Sequence, residues 1–365
     1  MTQAPTLTDG TVTIRPHRGS DAERSYEQCQ DPLSQQWTTV PVPYSMEDAR
    51  TFVGELMPKG WADDSEWGFA VEVDGAYAGT ISLRPETEGR AEIAFGSHPS
   101  VRGTGVMERA LRLLLAWGFE EQRLTTVVWR ANKGNWASRK LAWRLGFTIE
   151  GTLRAYLPQR GALLDAWVGT LLRDDPREPQ KPWLAPPVLE AGGLRLRPWR
   201  DSDVPRIVEA CSEAETQRWL GQLPAPYDVA AGEAFLASTQ LRAANGEAMN
   251  WAVVDPADDL VLASVGWFNW TPGVECEVGY WTHPDARGRG VATRATAAVT
   301  RYAVEELRVR RVTAFAAVDN VASRRVIEAN GFRFYGVERL GAWVRDDRAD
   351  MALYDLLADE LPATS

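Results

Sequence analysis

"HPDARGRGVATRA", residues 283–295, sets two arginines and two glycines in consecutive positions, Arg287 to Gly290, just ahead of a run with helical spacing. "HPSVRGTGVMERA", residues 98–110, repeats the arrangement 185 positions earlier. A glycine turn at a strand-to-helix junction lets successive backbone N–H groups approach an anion, and the helix N-terminus adds partial positive charge. Each stretch therefore predicts a phosphate cradle. "RGRGVA" lacks the Lys-Ser/Thr of a Walker A loop and is not the G-x-G-x-x-G of a dinucleotide fold. What remains is R-x-x-G-x-A, Arg287 to Ala292, preceded by the strand-like "EVGYW" and followed by "DNVASRRVIEANGF".

The repetition extends far beyond the loop. A shift of 185 aligns Glu92 with Glu277, Asn135 with Asn320, Ser138 with Ser323, Gly146-Phe147 with Gly331-Phe332 and Asp165 with Asp350. Nearer each start the shift falls to 182, pairing Arg15-Pro16 with Arg197-Pro198, Cys29 with Cys211 and Trp37 with Trp219. Solenoid repeats run about 20 to 50 residues, so a period this long reads as duplication of a whole domain. A chain of 365 residues also exceeds one ordinary core. Between the copies, "DDPREPQKPWLAPPVLE" holds five prolines in seventeen residues and reads as a stiff linker. The expected organisation is a domain over 1–175, a linker over 176–190 and a second domain over 191–365.

Composition excludes several classes. With 44% hydrophobic and 25% charged residues the chain reads as globular, and no apolar run approaches the roughly eighteen residues of a membrane span. The opening "MTQAPTLTDG" lacks the basic and apolar segments of a secretory signal, so a cytoplasmic location is expected. Three cysteines without CxxC spacing, Cys29, Cys211 and Cys276, argue against a disulfide framework or cysteine-rich metal site. The net charge of -10 is spread over both halves, which argues against nucleic acid and anionic membranes as partners and suits small cations.

Hydrophobic spacing alternates strand and helix periods in each copy. "TVTIRP" (11–16) and "GLRLRP" (193–198) begin the copies as strands; helices are expected near 20–30 and 46–57. "WGFAVEVDGAYAGTISLR" (67–84) predicts a hairpin turning at Asp74-Gly75, and "RAEIAFGS" (90–97) a further strand. An amphipathic helix to about Glu120, the strand "TTVVW", a short helix from Asn135 to Leu145 and two closing strands complete the pattern. The fold class is α/β, in the α+β sense of helices flanking a largely antiparallel sheet.

The ordered set of strand Glu, R-x-x-G-x-A, N-x-x-S and Gly-Phe resembles the GNAT acetyltransferases, specifically the RimJ/RimL-like branch that acetylates protein N-termini, and the resemblance covers nearly the whole chain twice. It implies two tandem GNAT domains, each a mixed sheet splayed at an acetyl-CoA site. The pyrophosphate would lie on the loop amides and the pantetheine beside the strand before the loop. On this basis Arg287, Gly288, Arg289, Gly290, Val291, Ala292 and Asn320 are expected to hold acetyl-CoA in the second copy. Arg102, Gly103, Thr104, Gly105, Val106 and Asn135 are their counterparts in the first. There Met107 replaces the small residue that the family prefers, and Thr104 removes the charge of Arg289, so tighter binding is expected in the second copy.

Acetyl transfer to an amine needs a base, a polarised thioester and a proton for the departing sulfur. Glu277 and Glu92 are the candidate bases; the alternative is a strand carboxylate paired with an arginine such as Arg339 or Arg154. The resemblance implies that Ser323 and Ser138 stand near the sulfur, although Asn-x-x-Ser is also what simple helix capping by Asn320 or Asn135 produces. Many GNAT enzymes carry a tyrosine four residues before the final Gly; here Ala142 and Ile327 occupy those places, so a tyrosine acid is absent. His98 and His283 suit positioning of the loop, and His17 is expected near the surface. Trp37, Tyr44, Trp219 and Tyr227 are candidates either for the acceptor groove or for the core. With no clustered ligands, a metal site is not expected.

The leading reading is a tandem N-acetyltransferase that moves acetyl from acetyl-CoA to a primary amine of a peptide or small molecule by direct attack. The alternatives are one catalytic copy beside a degenerate one, or an acyl-CoA-binding protein without turnover.

Overall fold

The computed structural model describes residues 4–345 and 347–361. The chain divides between Gln180 and Lys181 into two compact units. The first opens with β1 (Leu7–Thr8) and β2 (Val12–Arg15), then the short helices α1 (Ala22–Gln30), α2 (Pro32–Trp37), α3 (Met46–Thr51) and α4 (Met57–Ala62). A meander of β3 (Trp67–Val73), β4 (Ala76–Thr87) and β5 (Arg90–Ser97) leads into α5 (Val106–Glu120), β6 (Thr126–Asn132) and α6 (Trp136–Arg144). The hairpin β7 (Thr148–Gln159) and β8 (Ala162–Leu172) closes it.

The second unit repeats the plan. It runs through β9 (Leu189–Glu190), β10 (Arg195–Arg197), α7 (Val204–Ser212), α8 (Ala214–Trp219), α9 (Val229–Ala244), β11 (Met249–Val254), β12 (Val261–Thr271) and β13 (Glu275–Thr282). Then come α10 (Val291–Glu305), β14 (Arg311–Ala317), α11 (Val321–Ala329), β15 (Arg333–Val344) and β16 (Asp347–Leu357). The sheets are eight-stranded, ordered β1-β2-β3-β4-β5-β6-β8-β7 and β15-β16-β14-β13-β12-β11-β10-β9. All pairings are antiparallel except β5 with β6 and β13 with β14.

Packing in the two cores is complementary, not identical. Helix α5 buries Leu111, Leu114 and Leu115 in a core with Phe69 and Leu83. The same positions of α10 hold the smaller Thr296, Val299 and Thr300, and the strand residues are the larger Trp251 and Trp267, both almost fully buried. Bulk lost on the helix is regained on the sheet, as close packing of an interior requires.

The repeated Arg-Pro pairs have a structural role. Arg15 forks onto Asp21 at 2.8 and 2.9 Å and donates to Glu72 at 2.6 Å. Arg197 forks onto Asp203 and donates to Asp259. Each arginine is 3% exposed, so the carboxylates satisfy a charge that water does not reach. The repeated aspartates Asp165 and Asp350 accept the amides of Ala155 and Leu340, two left-handed residues where the long edge strands bulge. In the proline-rich segment, Leu184 is buried and donates its N–H to Ala243, while the Trp251 indole donates to the Pro187 carbonyl. That portion packs onto the second unit.

Candidate functional site

In each unit the two parallel strands pair only briefly. Strand β5 is in register with β6 from Arg90 to Ile93 but runs on to Ser97; β13 is in register with β14 from Glu275 to Glu277 but runs on to Thr282. Beyond those points the strands have parted, leaving one edge of β5 and of β13 without a strand partner. The glycine loops follow at the open ends.

Gly103, Gly105, Gly288 and Gly290 all adopt left-handed φ, between 71° and 83°, which a side chain would oppose. A Cβ at Gly103, Gly105 or Gly288 would meet nothing within 4 Å, so open space lies over the loop. Helices α5 and α10 begin immediately after Gly105 and Gly290 without a side-chain cap. Their first-turn amides have no intrahelical acceptors. Uncapped donors, the positive helix end and open space fit an anionic group such as a pyrophosphate. Arg289 is exposed on the loop, and Arg294 leans back to donate to the Arg289 carbonyl at 3.1 Å. Its counterpart Arg109 is instead engaged by Asp9 at 2.8 Å. Thr104 uses its hydroxyl on the Val101 carbonyl. The buried Met107 has its sulfur close to Gly79; in the second unit this pair is replaced by Ala292 and Ala263, both buried.

The side chains of Arg287 and Arg102 engage other residues of the protein. Arg287 donates to Glu213 at 2.7 Å and to Thr216 at 2.8 Å; Arg102 donates to Ser34 at 3.0 Å and pairs with Asp31 at 2.6 Å.

The two candidate bases stand at the same point of the sheet in different surroundings. Glu92 lies across from Arg84 on β4 and pairs with Arg130 of β6 at 3.4 Å. Arg130 in turn holds Glu86 at 2.5 Å. Glu277 lies across from Phe268, and the place of Arg130 is taken by Phe315. Among the described residues Glu277 makes no ion pair; Asn269 donates one hydrogen bond to it at 2.8 Å. Burial among neutral groups raises its pKa, only partly offset by that bond. An arginine partner is therefore present in the first unit, although it is Arg130 and neither Arg154 nor Arg339.

The serines differ in the same way. Ser138 accepts from the Trp129 indole at 3.0 Å. Ser323 faces the Tyr280 hydroxyl at 2.9 Å, and Tyr280 also lies 3.0 Å from the Ser323 carbonyl. Burial lifts the Tyr280 pKa to about 12. The helix position of the family tyrosine is indeed Ile327, but the sheet brings a different phenol to the serine. Its counterpart in the first unit is Phe95. Tyr280 was visible in "EVGYW" and Ser323 in N-x-x-S, but the pairing of the two, 43 residues apart, was not.

Asn135 and Asn320 cap α6 and α11 by accepting the amides of Ser138 and Ser323, each at 3.1 Å. Their side-chain carbonyls are thus engaged, and their amide NH2 groups are what remains for a ligand. His98 and His283 are buried and hold the turn before the loop: His98 accepts the Ser100 backbone amide, His283 Nδ1 lies 2.8 Å from the Asp285 carboxylate, and the two rings contact Glu27 and Glu209. His17 is half-buried: it packs edge-on to Phe52 at 5.4 Å, its Nε2 lies 3.2 Å from the Thr80 hydroxyl, and desolvation lowers its pKa to about 4. Tyr44 and Tyr227 belong to small cores with Cys29 and Cys211. Trp37 packs over Gly134 beside the N-x-x-S turn, while Trp219 donates to Glu215. Among the described residues no group of three or more His, Cys, Asp or Glu could hold a metal, and no helix is long and apolar enough to cross a membrane.

Each unit thus joins a mixed sheet with parted parallel strands to an uncapped glycine turn at the head of a helix. The family model described as an acetyltransferase (GNAT) domain matches residues 11–148 and again 193–333, so the chain belongs to the GNAT family, with two tandem domains. YdaF of Bacillus subtilis (strain 168), named as a proposed ribosomal N-acetyltransferase, is 40% identical over 86 residues, 24% of this chain and 47% of that protein. Spermidine N(1)-acetyltransferase of Escherichia coli (strain K12) is 32% identical over 103 residues, 28% of this chain and 55% of that protein. The chain spans about half the length of these relatives. Among solved structures, Mycobacterium smegmatis RimJ in complex with CoA-disulfide matches with 21% identity and a TM-score of 0.44, over 49% of this chain and 89% of that one.

Proposed function

We propose that the chain is an acetyl-CoA-dependent N-acetyltransferase whose second unit carries the transfer to a primary amine. The observation that carries this reading is the environment of Glu277. It is a carboxylate without an arginine partner, its pKa raised by burial, placed where β13 and β14 part and on the strand leading to the Arg287–Ala292 loop. A base with a raised pKa takes a proton more readily at neutral pH.

Acetyl-CoA would supply the acetyl thioester, with its pyrophosphate on the amides around Gly288 to Ala292. Glu277 accepts the proton that the amine loses as the N–C bond forms. Ser323, held by Tyr280, offers a hydroxyl proton toward the sulfur as the C–S bond breaks, and solvent restores it. In the first unit the Arg130 pair keeps Glu92 in an ion pair, and Phe95 cannot hold Ser138. These differences support one catalytic unit beside one that binds without efficient transfer.

For the acceptor, the reading favours amines of low pKa. Freeing the lone pair of an α-amine, whose reference pKa is near 8, costs about 1.4 kcal/mol at pH 7, against about 4.6 for a lysine. One carboxylate suits the former. Thiol release measured with peptide and small-amine acceptors tests the function, with Glu277→Gln as the control that must lose it. Retained release in that variant would remove Glu277 from the chemistry.

A further inference from the structure

We propose that Arg287 and Arg102 are positioning residues: each fixes a short helix across the open end of the parted strands. This inference rests on the acetyltransferase reading for its consequence, but the contact itself is independent of it. In the second unit the helix is α8. Its N-cap Glu213 accepts the Thr216 amide and is held at 2.7 Å by Arg287, which follows β13. Its other end is held by the β15–β16 turn: the Arg345 amide donates to the Arg218 carbonyl, and the Arg345 guanidinium donates to Gln217 and to the Leu223 carbonyl. Just beyond, Gly221 lies so close to Val344 that a Cβ would come within 2.6 Å of its backbone.

One anchor thus follows β13, and the other belongs to the hairpin whose strand β16 pairs with β14. The helix therefore bridges the two arms that diverge at Glu277. The first unit builds the same bridge from different residues. Asp31 caps α2 and pairs with Arg102, Ser34 accepts from Arg102, and Gln159 at the β7–β8 turn donates to the carbonyls of Gln36 and Thr38. Asp31 for Glu213 and Ser34 for Thr216 keep the chemistry while the sequences differ. That repetition is what a shared geometric role predicts.

Such a bridge borders the path by which an amine reaches Glu277. Loss of its arginine anchor frees the helix, disturbing acceptor binding more than acetyl-CoA binding. The test compares Arg287→Ala, Arg287→Lys and Glu213→Gln in the full chain; glutamine keeps the cap acceptor and removes the charge. Amide hydrogen exchange over residues 214–220 should accelerate about tenfold in the alanine and glutamine variants and less in the lysine variant. The KM for a peptide amine should rise about fivefold or more, with kcat nearly unchanged and the acetyl-CoA Kd within about threefold. If Arg287→Ala instead weakens acetyl-CoA binding about tenfold while Glu213→Gln leaves exchange unaltered, Arg287 is a phosphate ligand and the proposal is overturned. Should no amine be acetylated by the wild type, the functional reading fails, and the exchange rates still decide the bridge.

Discussion

Arg130 Nη1 lies 3.4 Å from Glu92 and 2.5 Å from Glu86, so one guanidinium serves two carboxylates at the site of the first unit. With Phe315 in its place, Glu277 has among the described residues only the neutral Asn269 as a side-chain partner. Exchange of Arg130 for Phe315, with Arg84 likewise replaced by Phe268, separates an ion-paired carboxylate from one suited to accept a proton.

Glu277→Gln is expected to lower turnover about 100-fold or more, within the usual range for loss of a general base, and to leave acetyl-CoA affinity nearly unchanged. Ser323→Ala should cost less, and Tyr280→Phe less again, because Tyr280 acts through the serine. Glu92→Gln should alter turnover little. Thiol-release kinetics of the four variants decide it, and an equal loss in Glu92→Gln would show two working units.

The pH dependence of stability should distinguish Glu277 from Glu213 by sign. Glu277 has its pKa raised by burial, so the folded state binds more protons than the unfolded one above the unfolded pKa of about 4.3, and stability falls as pH rises through the window up to the folded pKa. Glu277→Gln should therefore raise the urea midpoint at pH 7 and give no gain near pH 3. Glu213 is held at about 2, chiefly by its hydrogen bond to Arg287, so it contributes stability above the unfolded pKa that is lost as pH falls toward 2. Glu213→Gln should lower the midpoint at pH 7, with the deficit shrinking in acid. Same-signed effects at pH 7 would contradict the assignment.

Calorimetric titration with acetyl-CoA should show two sites per chain, the tighter in the second unit, where Arg289 and Arg294 flank the loop and the helix carries the small Ala292 in place of Met107. Gly290→Val should abolish that site alone, since a left-handed backbone costs a residue with a side chain about 1–2 kcal/mol and valine more. One site in the wild type would make the first loop purely structural.

Acceptor preference is best read from one peptide made in two forms, a free N-terminus with blocked lysine and the reverse. The free N-terminus should react faster at pH 7, and added salt should slow both as the attraction between an acidic chain and a cation is screened. Faster acetylation of lysine would refute the low-pKa preference.

Much of this molecule is written locally. Glycines at 288 and 290 permit the left-handed turn that the loop adopts, and the alternation in "RAEIAFGS" made a strand over the same eight residues, Arg90–Ser97. The short helix α2 was missed, although Asp31-Pro32 supplies an N-cap and a proline at the first helical position. Its six residues bury no side chain completely, so hydrophobic periodicity gave no signal.

The sequence by itself determined the duplication, most of the strand and helix order, the glycine turns and the family, because each is written in residue identity and short-range spacing. Tertiary structure decided which carboxylate is left without a counter-charge, which phenol reaches the serine and where the loop arginines turn. Those outcomes depend on pairs as distant as Glu92 with Arg130, Tyr280 with Ser323 and Glu213 with Arg287. A pKa shift or hydrogen bond is set by what lies within a few ångströms in space, and only the folded sheet brings those pairs within reach.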